Sequence, residues 1–163
     1  MNTRTVTRVT PAPKDDRFPA RTVRTLLAED SPVMMMLLAR TLTSDRRTFI
    51  IGAACNGRKA LGYASTLQPD LVVTDLHMPG LDGAEVTRHL KQQPNPPIIF
   101  VVTSDDTLEA RARCVAAGAD AFLVKGENLV TQLLATIKEF FPDDLETSHT
   151  ELTHPCETLI TVK

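Results

Sequence analysis

Apolar positions along the chain fall into two kinds of stretch that take turns. Compact runs at Val23–Ala28, Thr48–Ala54, Leu71–Thr74, Ile98–Thr103 and Ala121–Lys125 read as strands buried in a sheet. Between them lie stretches with helical spacing: Pro32 to about Leu42, Arg58–Thr66, Gly83 to about Gln92, Thr107–Ala117 and Leu129–Phe141. The last repeats apolar residues at Leu129, Val130, Leu133, Leu134, Ile137 and Phe141, the spacing of one helix face. Punctuation agrees with this division. Ser31-Pro32 supplies a cap and a first-turn proline, Asn56-Gly57 reads as a turn, and Asp82 can cap the third helix. Pro94, Pro96 and Pro97 mark a loop, Gly118 stops the fourth helix and Pro142 ends the fifth. Strand and helix alternate five times with short connections, which predicts an α/β fold: a parallel sheet with helices on both faces.

Composition narrows the class. At 163 residues there is room for one domain with a core plus tails, and 42% hydrophobic with 23% charged residues fits a soluble globular chain. The formal net charge of −2 argues against a nucleic-acid surface. No apolar run is long enough to span a bilayer, and the first residues lack the apolar core of a secretory signal, so a cytoplasmic location is expected. Cys55, Cys114 and Cys156 are odd in number and lack metal-type spacing, which reads as free thiols; the first two occupy a strand end and a helix, where small buried residues are common. Residues 1–20 are expected to be a disordered basic extension, 21–141 the folded domain and 142–163 an acidic flexible tail. Thr5–Val9 and Thr158–Val162 are weakly strand-like.

Chemistry concentrates at the strand ends. The first strand ends on Glu29-Asp30, the third on Asp75, the fourth on Thr103-Ser104 and the fifth on Lys125. After Asp75, Met78-Pro79-Gly80 prevents the strand from continuing. In a parallel sheet these ends share one edge, the place where open α/β sheets bind ligands. Like charges ~4 Å apart at an effective dielectric of about 20 repel by roughly 4 kcal/mol per pair, so three carboxylates there need protons or a cation. A hard divalent ion such as Mg²⁺, taking one or two carboxylates and a phosphate oxygen, meets that need. Lys125 adds a fixed positive charge and Thr103 a hydroxyl donor, a set suited to an incoming phosphoryl group. A carboxylate can itself be the nucleophile, and Asp75 is the central candidate.

Taken in order, Glu29-Asp30, Asp75-x-x-Met-Pro-Gly-x-Asp-Gly83, Thr103-Ser104 and Gly118-Ala-Asp-Ala-Phe-Leu-Val-Lys125 resemble the receiver domain of response regulators in two-component signalling, over about Arg21 to Phe141. The resemblance implies a flavodoxin-like (βα)5 doubly wound sheet of order 2-1-3-4-5. It implies that Asp75 accepts a phosphoryl group from a histidine kinase or phosphotransfer protein. Asp30, Asp75 and the backbone carbonyl of His77 would ligate Mg²⁺, and Glu29 would act through water. Thr103 would bond the phosphoryl oxygen and Lys125 would pair with it. Phe122 matches the aromatic that changes rotamer on activation. Two departures stand out: Gly126 replaces the usual proline after the lysine, where a trans bond is expected on energy alone, and the aromatic is Phe instead of the common Tyr.

The expected function is a phosphorylation-dependent switch that signals through protein–protein contacts to an unknown downstream protein. The alternatives are a phosphorelay intermediate and a phosphorylation-silent scaffold of the same fold; the intact Asp, Thr and Lys set argues against the scaffold. The chain is expected to catalyse only its own aspartyl phosphorylation and dephosphorylation. A haloacid-dehalogenase-type enzyme is disfavoured because His77 stands where such enzymes carry a second Asp. His77 has no His or Cys partner at useful spacing, so its side chain is expected at an exposed rim. In the first helix, Val33, Met34, Leu37, Leu38 and Thr41 are expected to face the sheet, turning Met35 and Met36 toward water. In receivers this helix is where kinase or phosphotransfer helices dock, so Met35 with Met36 is expected to form the apolar centre of that surface.

Overall fold

In the computed structural model, residues 22–142 are described. Both tails, Cys156, Thr5–Val9 and Thr158–Val162 lie outside the described residues. Ten elements follow in strict alternation: β1 (Val23–Ala28), α1 (Pro32–Ser44), β2 (Thr48–Ala54), α2 (Gly57–Leu67), β3 (Leu71–Asp75), α3 (Gly83–Lys91), β4 (Ile98–Thr103), α4 (Leu108–Ala117), β5 (Ala121–Val124) and α5 (Leu129–Phe140). The five strands form one parallel sheet of order β2-β1-β3-β4-β5, the order expected.

Alternation along the central strands divides the core in two. Leu27, Leu71, Val73, Phe100 and Val102 point to the face covered by α1 and α5, with Leu38, Leu42, Leu133 and Ile137. Leu26, Ala28, Val72 and Ile99 point to the other face, against Ala60, Ala64, Val86 and Leu90 of α2 and α3. Every residue of β3 is buried, as expected of a central strand covered on both sides.

Caps set most boundaries. The Ser31 hydroxyl accepts from the Met34 amide at the start of α1, and Asn56, expected in a turn, caps α2 by accepting from the Lys59 amide at 2.9 Å. Asp82 and Glu85 form a reciprocal capping box on α3 (2.8 and 3.0 Å). Thr107 is the cap of α4 and lies just outside the helix, and Gly118, at φ 95°, ends it in the left-handed conformation. Lys125 falls one residue beyond β5. Gly83 has a further duty. A Cβ there would stand 2.1 Å from the Asp75 carbonyl oxygen, so only glycine lets α3 begin directly against the end of β3.

The first helix corrects the sequence reading. Leu38, Thr41 and Leu42 are buried, with Met34 and Met35 half-buried against the core. Val33, Met36 and Leu37 face outward, Val33 and Met36 at 73% and 67% exposure. Met36 is exposed as expected; Met35 is not, and Val33 and Leu37 do not face the sheet. In a helix this apolar, periodicity admits more than one stripe. The choice falls on positions 34, 35, 38, 41 and 42, which meet β1, β2 and α5 together. Cys114 is buried as expected, whereas Cys55 is exposed because it follows the last residue of β2 and leaves the sheet.

Candidate functional site

The register of the sheet assembles the site. Ala28 pairs with Thr74, so Glu29 and Asp75 emerge side by side from neighbouring strands. Thr103 pairs with Val124 at the end of β5, and the Lys125 amide then donates to the Thr103 carbonyl at 2.8 Å. The first strand thereby delivers two candidate groups, Glu29 and Asp30, and the third, fourth and fifth one each, Asp75, Thr103 and Lys125, to a single edge.

Carboxylate oxygens of Glu29, Asp30 and Asp75 lie within 4.8 Å of one another. Glu29 and Asp75 are buried, at 1% and 5% exposure, and Asp30 faces solvent. The Lys125 ammonium reaches across both buried acids, 2.8 Å from Asp75 Oδ2 and 2.9 Å from Glu29 Oε2. The contact with Asp75 is a hydrogen bond. The contact with Glu29 is an ion pair without hydrogen-bond geometry, which leaves Glu29 Oε2 buried with no hydrogen bond. Glu29 Oε1 accepts from the Ser31 amide at 3.2 Å, and Asp75 Oδ1 from the His77 amide at 3.3 Å.

Burial pushes the Glu29 carboxyl above its ordinary pKa, against the opposing pull of Lys125. For Lys125 burial is the largest influence and acts downward. Its close contacts with the Asp75 and Glu29 carboxylates together outweigh it, so its pKa lies above the ordinary lysine value. By formal charge the three carboxylates and the ammonium leave a double negative charge, which a divalent cation cancels. The donor set of hard carboxylate oxygens, one of them buried without a hydrogen bond, fits Mg²⁺.

The structure brings Glu29, Asp30, Asp75 and Lys125 together directly. Thr103 is fully buried on the adjoining strand, and its Oγ1 accepts from the Asp105 amide at 3.1 Å. Phe122 is half-buried against the cluster of Leu76, Val101, Ala110 and Cys114. The His77 side chain is exposed at the rim, as expected, with Nε2 3.2 Å from Asp105 Oδ2. No peptide bond among the described residues is cis, so Lys125-Gly126 is trans as expected. Met35 and Met36 lie on α1, outside the carboxylate cluster.

Sequence reasoning passed over three contributors, Asp105, Asp106 and Arg111. Asp105 and Asp106 shape the β4–α4 loop: Asp105 Oδ1 accepts from the Thr107 amide and hydroxyl at 3.1 and 2.7 Å. The spacing Asp105-x-Thr107 is a turn signal that could have been read. Arg111 places its guanidinium carbon 4.5 Å from the centre of the Phe122 ring, a contact with no sequence signature.

A family model described as response regulator receiver domain matches residues 25–138. A protein-glutamate methylesterase/protein-glutamine glutaminase of Methanospirillum hungatei is 42% identical over 105 residues, covering 63% of this chain and 30% of that protein. Response regulator MprA of Mycolicibacterium vanbaalenii is 34% identical over 125 residues, covering 75% of this chain and 53% of that one. The chain thus spans about a third to a half of the relatives it matches. The response regulator domain of Thermotoga maritima CheB superposes with a TM-score of 0.68 at 25% identity, over 76% of this chain and 99% of that domain. A match that covers most of the chain and a shared five-stranded sheet carry one conclusion: the protein belongs to the receiver domain family of response regulators, which serves phosphorylation-dependent signalling.

Proposed function

We propose that the chain is a signalling switch that accepts a phosphoryl group on Asp75 from a histidine kinase or phosphotransfer protein and signals through protein–protein contacts. One observation carries this reading: three carboxylates converge within 4.8 Å, and a lysine spans the two buried ones. Packing gains nothing from such a cluster, whereas in-line phosphoryl transfer needs a placed nucleophile and charge compensation.

Asp75 Oδ attacks phosphorus, forming a P–O bond as the P–N bond to the donor imidazole breaks; the imidazole leaves with the electron pair. Lys125 stays beside Asp75 and pairs with the new phosphoryl oxygens. The Thr103 hydroxyl turns from the Asp105 amide toward the phosphoryl group and donates to it. Asp30, Asp75 and the His77 carbonyl would hold Mg²⁺, with Glu29 acting through water. Bound there, the ion would supply neutralisation of charge on the transferring phosphoryl oxygens. Incubation with Mg²⁺ and phosphoramidate or acetyl phosphate should raise the intact mass by one phosphoryl group, and chelation should abolish the gain. No increment in a chain folded by circular dichroism sinks the reading.

Donor docking belongs to the exposed side of α1, now centred on Val33, Met36 and Leu37 with Met35 contributing only its edge. These side chains are already outside the core, so Met36→Lys with Leu37→Glu should leave labelling by acetyl phosphate unchanged. Transfer from the cognate kinase should slow about tenfold or more, as expected for the apolar centre of an interface. Equal kinase transfer in the double variant removes this face from the docking site.

A further inference from the structure

Phe122 lacks the hydroxyl that would let a tyrosine anchor its ring by a hydrogen bond. Something else must define where the ring rests. The ring packs against the buried cluster that contains Val101, Ala110 and Cys114, and over it lies the guanidinium of Arg111, at 4.5 Å from its centre. Arg111 is tied in turn to Asp106, Nη2 to Oδ1 at 2.6 Å. Asp106 sits in the β4–α4 loop beside Asp105, whose amide donates to Thr103 Oγ1. A continuous set of contacts therefore runs from Thr103 through the loop to Arg111 and onto the Phe122 ring.

We propose that Arg111 is a positioning residue that holds Phe122 in its resting orientation, and that the Asp105–Asp106 segment couples this hold to Thr103. The proposal rests on the reading of Phe122 as the ring that moves. When the Thr103 hydroxyl turns toward a phosphoryl group on Asp75, it gives up the Asp105 amide. The loop is then freed on that side, the Asp106 anchor of Arg111 shifts with it, and the guanidinium no longer caps the ring. The individual contacts are weak: both side chains of the Arg111–Asp106 pair are about half exposed, and an exposed cation–π contact is modest. Weakness suits the role, because a switch must be reversed by the binding energy of one phosphoryl group.

Linkage makes the idea measurable. Whatever favours the resting ring disfavours the phosphorylated state, and by the same factor. Calorimetric titration of the full chain with beryllofluoride in Mg²⁺ reads that factor. Arg111→Ala should tighten beryllofluoride binding by about two- to fivefold, the range of an exposed cation–π contact. Simple charge removal would act the other way, since losing a cation weakens attraction for an anion. Arg111→Lys, which keeps a cation near the ring, should stay close to wild type. In a Phe122→Leu background, Arg111→Ala should no longer tighten binding. Unchanged or weaker binding in Arg111→Ala overturns the proposal, as does an effect that persists undiminished in the Phe122→Leu background. The underlying switch is checked separately by ¹⁹F spectra of fluorophenylalanine-labelled wild type, with the Phe122 signal assigned by its loss in Phe122→Leu. A Phe122 signal that beryllofluoride does not move overturns the switch reading, and the Arg111 role with it.

Discussion

Asp75→Asn will take up no phosphoryl group from acetyl phosphate, from phosphoramidate or from a kinase, while wild type gains one. The amide keeps the shape of the carboxylate and loses its nucleophilic charge, so a folded but inert protein is expected. Asp75 is the acid whose position leaves little alternative: it ends the central strand, and Lys125 is fixed 2.8 Å from its Oδ2. The nearest competitors are Asp30 and Ser104, both exposed at the same edge. Peptide mapping of the labelled protein distinguishes them, and label remaining in Asp75→Asn, on either residue, refutes the assignment. The substitution also removes one member of the carboxylate cluster, so Mg²⁺ affinity should fall alongside.

Lys125→Met will lower stability at neutral pH by about 3 kcal/mol in metal-free buffer, the range found when one member of a buried ion pair is removed. The lysine lies between two buried acids, and without it Glu29 and Asp75 face each other with no cation. The deficit should depend on pH in a definite direction. Glu29 has a folded pKa above its unfolded value because burial disfavours its charge. The fold therefore binds that proton more tightly than the unfolded chain does, and stability falls as pH rises from the unfolded toward the folded pKa. Removing Lys125 removes the largest influence that holds this pKa down and leaves only the Ser31 amide, so the folded value climbs further. The gap between variant and wild type should be largest above neutrality and narrow as pH falls toward the unfolded Glu29 value of 4.5. Lysine's own contribution does not confuse that window. Its raised pKa keeps the stabilisation in force below 10.5, losing it only at higher pH. Urea melts at several pH values measure the gap. Adding Mg²⁺ should restore much of the lost stability by replacing the missing positive charge, more in the variant than in wild type. A gap that neither narrows in acid nor responds to Mg²⁺ would mean that Lys125 contributes packing alone.

Where sequence reading succeeded, the information was local. Five buried runs, five helices and the residues that punctuate them follow from periodicity, capping and proline or glycine chemistry, and the boundaries differ from the structure by only a residue or two. The site was legible for a related reason. Each candidate side chain stands directly at or just past a strand end, so finding the strands brought Glu29, Asp30, Asp75, Thr103 and Lys125 to one edge together.

Local pattern therefore accounts for the set of elements and for the edge on which the candidate groups gather. Helical periodicity could not choose the buried side of α1, because Val33 to Leu38 is apolar at every position, and the answer depended on the shape of β1, β2 and α5 around it. Nor could it foresee that Gly83 must lack a side chain, since the obstacle is the carbonyl of Asp75 across a turn. The tertiary structure alone decided that Lys125 spans two acids, and that Arg111 of α4 rests over Phe122 of β5. The physical reason is the same in each case: these contacts join residues on separate elements, and their distances are set by the pairing of strands and the seating of helices, which no local pattern encodes.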